Sequence, residues 1–118
     1  MIHHVLLACP PGSEDASRAF YAGVLGLAEI DKPPALAQRG GCWFRGQDIE
    51  LHLGVEADFR PARKAHPGLQ VEDLPLLIEK LRGLGYAVKE DEPLEGFHRV
   101  YVDDPFGNRI ELLEPLGS

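Results

Sequence analysis

One short pattern occurs twice in this chain. Gly46-Gln47-Asp48-Ile49-Glu50-Leu51 lies midway, and Gly107-Asn108-Arg109-Ile110-Glu111-Leu112 lies near the C-terminus. Each is a turn glycine, two polar residues and Ile-Glu-Leu. The glycine is expected to open a tight turn by accepting positive φ. Ile and Leu, two apart, then point to one face of a strand, and Glu points to the other. A second matched pair supports a duplication. His4-Val5-Leu6-Leu7 opens the chain, and His66-Pro67-Gly68-Leu69-Gln70-Val71 opens its second half. The separation of the two histidines agrees with that of the two glutamates to within one residue. Two long copies mean a pair of pseudo-symmetric modules and not a solenoid.

Turn and helix signals fill in each copy. Residues 2–8 read as a strand ended by Pro10-Pro11-Gly12. Ser13 is placed as a helix N-cap, with Glu14 and Asp15 in the first turn. Ala16, Phe20 and Val24, with Tyr21 and Leu25, follow helical spacing up to Gly26. Residues 27–31 form a short strand, and residues 42–53 a hairpin about Gly46. Gly54 and the basic residues after it suggest a linker. The second half repeats the plan: a strand at 66–72, then an Asp73 cap with Pro75 in the first turn. A stripe of Leu74, Leu77, Ile78 and Leu81 follows. Strands come next at 86–89, 98–102 and 110–113. The expected fold is α+β, with two βαβββ modules forming a curved sheet around a cleft. Module 1 covers about 1–55, the linker about 56–65 and module 2 about 66–118, all in one domain.

Alternation predicts that Ile49, Leu51, Leu53, Ile110 and Leu112 are buried. Glu50, His52 and Glu111 take the opposite face, with His4, His66 and Gln70 on flanking strands and Arg99 and Tyr101 beside them. Arg99 is read either as a bidentate grip on a substrate carboxylate or phosphate, or as a surface residue. Trp43 is assigned to the core, and Asp104 and Asn108 to shaping the last turn. Cys9 and Cys42 are read as small buried residues, too few for a disulfide framework. A net charge of −7 argues against a nucleic-acid partner, which needs a basic footprint. No apolar run reaches the roughly 18 residues of a membrane span, and the start lacks a secretory pattern. A cytoplasmic protein with no membrane partner is expected.

The chain as a whole resembles the vicinal oxygen chelate superfamily, which includes glyoxalases, bleomycin resistance proteins and dioxygenases. The resemblance rests on His4-Val5 and on Phe20-Tyr21-x-x-Val24-Leu25-Gly26-Leu27. It also rests on His66-x-x-Leu69-x-Val71-x-Asp73 and on Asp104-Pro105-Phe106-Gly107-Asn108-Arg109-Ile110-Glu111. It implies metal ligands at His4, Glu50, His66 and Glu111, a set like that of glyoxalase I, with His52 as the alternative to Glu50. Mixed imidazole and carboxylate donors suit one divalent ion of Zn, Ni, Mn, Fe or Co. The implied function is that of a metal-dependent lyase or isomerase. It would act on a small oxygen-rich substrate through a metal-stabilised enolate or oxyanion. Glu50 or Glu111 would move the proton, assisted by His52, and Gln70, Arg99 and Tyr101 would meet the substrate. The alternatives within the resemblance are a metal-free, bleomycin-resistance-type drug binder, and a thiol transferase or dioxygenase. It also implies a homodimer.

Overall fold

The computed structural model describes residues 1–117; Ser118, the last residue of the expected second module, lies outside them. The chain divides into two compact units, Met1–Pro61 and Ala62–Ser118. The first contains β1 (Val5–Cys9), α1 (Glu14–Ser17), β2 (Ala28–Ile30), α2 (Pro34–Ala37), β3 (Cys42–Arg45) and β4 (Glu50–Val55). The second contains β5 (Gly68–Gln70), α3 (Leu74–Gly83), β6 (Val88–Glu90), β7 (Phe97–Asp103) and β8 (Arg109–Pro115). Each builds a four-stranded sheet of the same plan, ordered β1-β4-β3-β2 and β5-β8-β7-β6. The outer pairs β1–β4 and β5–β8 are parallel and the others antiparallel. This is the α+β pair of βαβββ modules expected from the repeat.

Alternation places one residue set of each central strand in the core. In the first unit Leu51 and Leu53 are fully buried with Phe44 and with the helical Phe20 and Tyr21. The Phe20 and Tyr21 rings meet edge to face at 5.0 Å, and Tyr21 lies 5.6 Å from Phe44. In the second unit Ile110, Leu112, Val100 and Val102 pack with Leu74, Ile78 and Leu81 of α3. Each such side chain withdrawn from water contributes about 1.5–3 kcal/mol. Both cysteines are buried, as expected; removal from water pushes the Cys42 thiol up to about 11.

Several local expectations are corrected. The first helix is not α-helical throughout: α1 runs on into a π-helical segment, Arg18–Val24. Its widened turns appear as the bond from Leu25 N–H to the Phe20 carbonyl at 2.9 Å. Ser13 precedes α1 but does not cap it, because its hydroxyl donates to the Pro10 carbonyl at 2.6 Å. Glu14 reaches across to accept from Gly41 N–H at 2.8 Å. The bond to Gly41 holds the Glu14 carboxyl below its ordinary range. A short helix not expected from the sequence, α2, begins at Pro34, where proline's fixed φ suits the first helical turn. The strand at β4 extends through Gly54 and Val55, two residues past the end expected of the hairpin at 53. Gly107 has the positive φ expected of it, at 93°. Gly46 does not; a Cβ there would sit 2.8 Å from Leu27 Cδ2, so close approach is its reason.

The second helix starts as the sequence suggests. Asp73 adopts a left-handed backbone, φ 52°, and its carboxylate accepts from Leu76 N–H. Glu114 of β8 accepts from Asp73 and Leu74 N–H, joining this helix start to the strand that carries Glu111. Gly85, at φ 91°, follows the helix end. No helix among the described residues is long and apolar enough to cross a membrane.

Candidate functional site

Each unit gathers polar side chains on the sheet face opposite its core. In the second unit the turn before β8 is locked first. Asp104, buried, accepts from Phe106 N–H and Asn108 N–H, both at 2.9 Å, and from the Asn108 side-chain amide at 2.9 Å. Such a side-chain mimic of a turn sets the start of β8. Arg109 and Glu111 therefore share one face while Ile110 and Leu112 share the other. Glu111 N–H donates to the Pro67 carbonyl at 3.0 Å, which holds the His66–Pro67 segment against β8.

His66 and Glu111 meet there. His66 Nδ1–H donates to the Lys64 carbonyl at 2.7 Å. A carbonyl can only accept, so this bond fixes where one ring proton lies. The other nitrogen, Nε2, faces Glu111 Oε1 at 2.9 Å. Two atoms that both carry lone pairs at this separation require a cation between them, either a second ring proton or a metal ion. A ring nitrogen anchored to a backbone carbonyl is also how proteins orient a metal-binding imidazole. The other carboxylate oxygen of Glu111 accepts from Arg99 Nη1 at 3.4 Å, and Tyr101 OH accepts from the same nitrogen at 2.7 Å. Arg99 is otherwise committed, because Nε and Nη2 both donate to the Glu92 carbonyl, at 3.0 and 2.8 Å. The edge expected to grip a substrate carboxylate thus holds the backbone before β7. Gln70 shares the face but pairs in register with Leu113, not Glu111, and is exposed.

The first unit assembles a different cluster. Trp43 is paired with His52 across the β3–β4 hairpin, and so lies on the polar face instead of in the core. Its indole stacks on the His52 ring at 3.9 Å with planes 4° apart. His4 stacks on the other side of His52 at 4.1 Å. His52 is buried, 4% exposed, and its Nε2 donates to Glu50 Oε2 at 2.8 Å. Arg45 Nη2 donates to Glu50 Oε1 at 3.0 Å. The bond from His52, with that from Arg45, pulls the Glu50 carboxyl down to about 2. His4 is exposed and its Nδ1 lies 2.9 Å from His3 Nδ1.

Among the described residues no three His, Cys, Asp or Glu side chains gather as one metal-holding group. The donors come as pairs, His66–Glu111 in one unit and His52–Glu50 in the other. The chemistry of the pairs fits a divalent ion, since both offer imidazole nitrogen and carboxylate oxygen. Sequence reasoning missed Trp43, Arg45 and Arg109 on these faces. Parity carries the signal for Arg45 and Arg109, because each is placed in step with a glutamate.

The sequence model of the Glyoxalase/Bleomycin resistance protein/Dioxygenase superfamily matches residues 1–112. No curated protein matches the sequence. A crystal structure of a glyoxalase family protein from Bacillus anthracis superposes with TM-score 0.93 at 44% identity, covering 98% of this chain and 95% of that one. A fosfomycin resistance protein from Listeria monocytogenes, solved with Mn(II) and a dihydroxypropylphosphonic acid, gives TM-score 0.80 at 17% identity, covering 98% and 92%. An antibiotic binding protein from Streptomyces gives 0.70 at 20% identity, covering 98% of both chains. The last two are alike in fold.

Proposed function

The chain belongs to the Glyoxalase/Bleomycin resistance protein/Dioxygenase superfamily, and from that premise we propose that it is a metal-dependent, glyoxalase-like lyase or isomerase acting on a small oxygen-rich substrate. The candidate ligands are His66 and Glu111 in the second unit and His4 and Glu50 in the first, for a divalent ion of Zn, Ni, Mn, Fe or Co. When bound, the ion would supply Lewis acidity to neighbouring substrate oxygens as an enolate or oxyanion develops. The observation that carries this reading is the pair His66 Nε2 and Glu111 Oε1, 2.9 Å apart, with Nδ1 already spent on the Lys64 carbonyl. Such a pair offers an imidazole nitrogen and a carboxylate oxygen, the donor types a divalent ion of this kind takes. The fosfomycin resistance relative solved with Mn(II) supports the choice of a divalent ion.

The remaining residues have roles of their own. His52 holds one Glu50 oxygen and Arg45 the other, so the carboxylate is oriented and stays ionised. Glu50 or Glu111 would take the substrate proton; the donors on Glu50 weaken it as a base, which favours Glu111 for that role. His52, its ring confined between Trp43 and His4, acts as a positioning residue for Glu50. Tyr101, Arg99 and Gln70 line the substrate face. A homodimer is the expected working form.

The test is elemental analysis of purified protein, followed by thermal unfolding with Mn²⁺ or Ni²⁺. About one ion per chain is expected. An ion in hundredfold excess over its dissociation constant stabilises by about 2.7 kcal/mol. The rise in unfolding temperature should vanish in His66→Ala and Glu111→Gln. An unchanged unfolding temperature with every metal refutes the reading.

The Trp43–His52–His4 stack favours a second reading, because a planar aromatic column suits flat drug-like rings. The antibiotic binding relative supports it. Stabilisation by a bulky cationic drug without any metal response would select this sequestration role.

A further inference from the structure

The substrate face of the second unit holds a guanidinium that the metal reading does not use. Arg109 begins β8 two residues before Glu111 and on the same face. It is half-buried, and its guanidinium carbon lies 5.4 Å from the centre of the Tyr101 ring. Among the described residues its guanidinium forms neither a hydrogen bond nor an ion pair. Asp103 stands directly across from it in register, yet the side chain lies over Tyr101 instead. An aromatic ring supports one flat side of a guanidinium and leaves its N–H edges for an anion.

Three further observations favour an anion at this place. Arg99, the other arginine at the ring, has its donors on the Glu92 carbonyl, Tyr101 OH and Glu111. Lys89 of β6 is exposed and pairs in register with Tyr101 on the side away from Glu111, adding a cation to this face. The cations Lys89, Arg99 and Arg109 thus share this face with the carboxylates of Glu111 and Asp103. Finally, residues two apart on a strand are separated by roughly 7 Å. An oxyanion gripped by Arg109 would leave a carbon one or two bonds away within reach of the Glu111 carboxylate.

We infer that Arg109, seated on Tyr101 beside Glu111, receives the anionic group of a small carboxylate- or phosphonate-bearing substrate. The inference rests on reading the Glu111 face as the substrate face. It selects small oxyanions over neutral or cationic substrates. Arg109 supplies two parallel donors to the two oxygens. Tyr101 keeps the guanidinium plane fixed, and Arg99 keeps Tyr101 fixed through its hydroxyl.

The test uses the full chain labelled with ¹⁵N, titrated with methylphosphonate and separately with acetate, while the arginine Nε–H resonances are followed. The Arg109 signal should shift saturably with at least one probe. Losing a charge-assisted bidentate contact should weaken binding about tenfold or more in Arg109→Gln. Arg109→Lys, which keeps charge but not the fork, should fall between. The unfolding temperature and its rise with Mn²⁺ should be the same in Arg109→Gln as in wild type. Equal affinity in wild type and Arg109→Gln, or no saturable shift with either probe, overturns the inference. Oxyanion binding at Arg109 without any Mn²⁺ response would uphold it while removing the metal reading.

Discussion

Replacing Gly41 by alanine tests how the first unit holds the strand under its aromatic stack. Gly41 has φ +83°, and a Cβ there would lie 2.0 Å from the Leu53 carbonyl oxygen. Ordinary contact begins near 3.4 Å, and the obstacle is backbone, so no rotamer change relieves it. The left-handed backbone alone costs an L-residue about 1–2 kcal/mol. Overpacking adds about 1–3 kcal/mol, as β3 and β4 part at the Cys42–Leu53 pair. Together Gly41→Ala should lose roughly 2–5 kcal/mol. Gly26, in the same unit, gives the control. Its φ is +79° and nothing lies within 4 Å of an added Cβ, so Gly26→Ala should lose only the backbone share, about 1–2 kcal/mol. Urea unfolding followed by Trp43 fluorescence reads both, since the chain has one tryptophan and it sits on β3. Gly41→Ala should also disturb the folded-state emission, because its strand presents the indole to His52. If both variants lose the same stability to within about 0.5 kcal/mol, near the scatter expected of such measurements, the close approach of Gly41 to Leu53 is wrong.

Other outcomes follow from the same contacts. Asp104→Ala removes the carboxylate that accepts from Phe106 N–H and Asn108 N–H; at about 1–3 kcal/mol for each donor, unfolding should become easier by roughly 2–6 kcal/mol, and a loss under about 1 kcal/mol would count against the turn as the lock on β8. Glu14 should show in the pH dependence of stability. Its folded value is depressed by the Gly41 N–H, so its contribution is present above the ordinary carboxylate value of 4.5 and is lost as pH falls through the folded value. The stability gap between wild type and Glu14→Gln should therefore narrow on acidification, and a gap that widens would reverse the assignment. Trp43→Ala should release the His52 ring on one side, exposing it and loosening its hold on Glu50. Nuclear magnetic resonance of the imidazole should show a changed His52 Nε2–H signal, whereas an unaltered one would mean the stack does not confine it.

Much of this site was legible along the chain. The repeated Ile-Glu-Leu put Glu50 and Glu111 opposite their core neighbours, because strand alternation is a local property. The duplication predicted two like modules, and both sheets have the same strand order. Asp73, Pro75 and the stripe from Leu74 to Leu81 marked α3, since capping and helical spacing need only a few consecutive residues. The misreadings have another origin. Ser13 has the chemistry of a cap, but a nearer acceptor, the Pro10 carbonyl, takes its hydroxyl. Trp43 is assigned to the core by sequence, but its register opposite His52 puts it on the polar face.

The order of residues alone determined which side of each strand a side chain takes, where the turns fall and that the plan occurs twice. Which atoms then meet was decided by tertiary structure. The Lys64 carbonyl claims His66 Nδ1, the Glu92 carbonyl claims the fork of Arg99, and Arg109 is left over Tyr101. Facing direction follows from a two-residue backbone period. Hydrogen-bond partners are chosen among all groups that strand register and loop path bring within about 3 Å, a competition that no local pattern encodes.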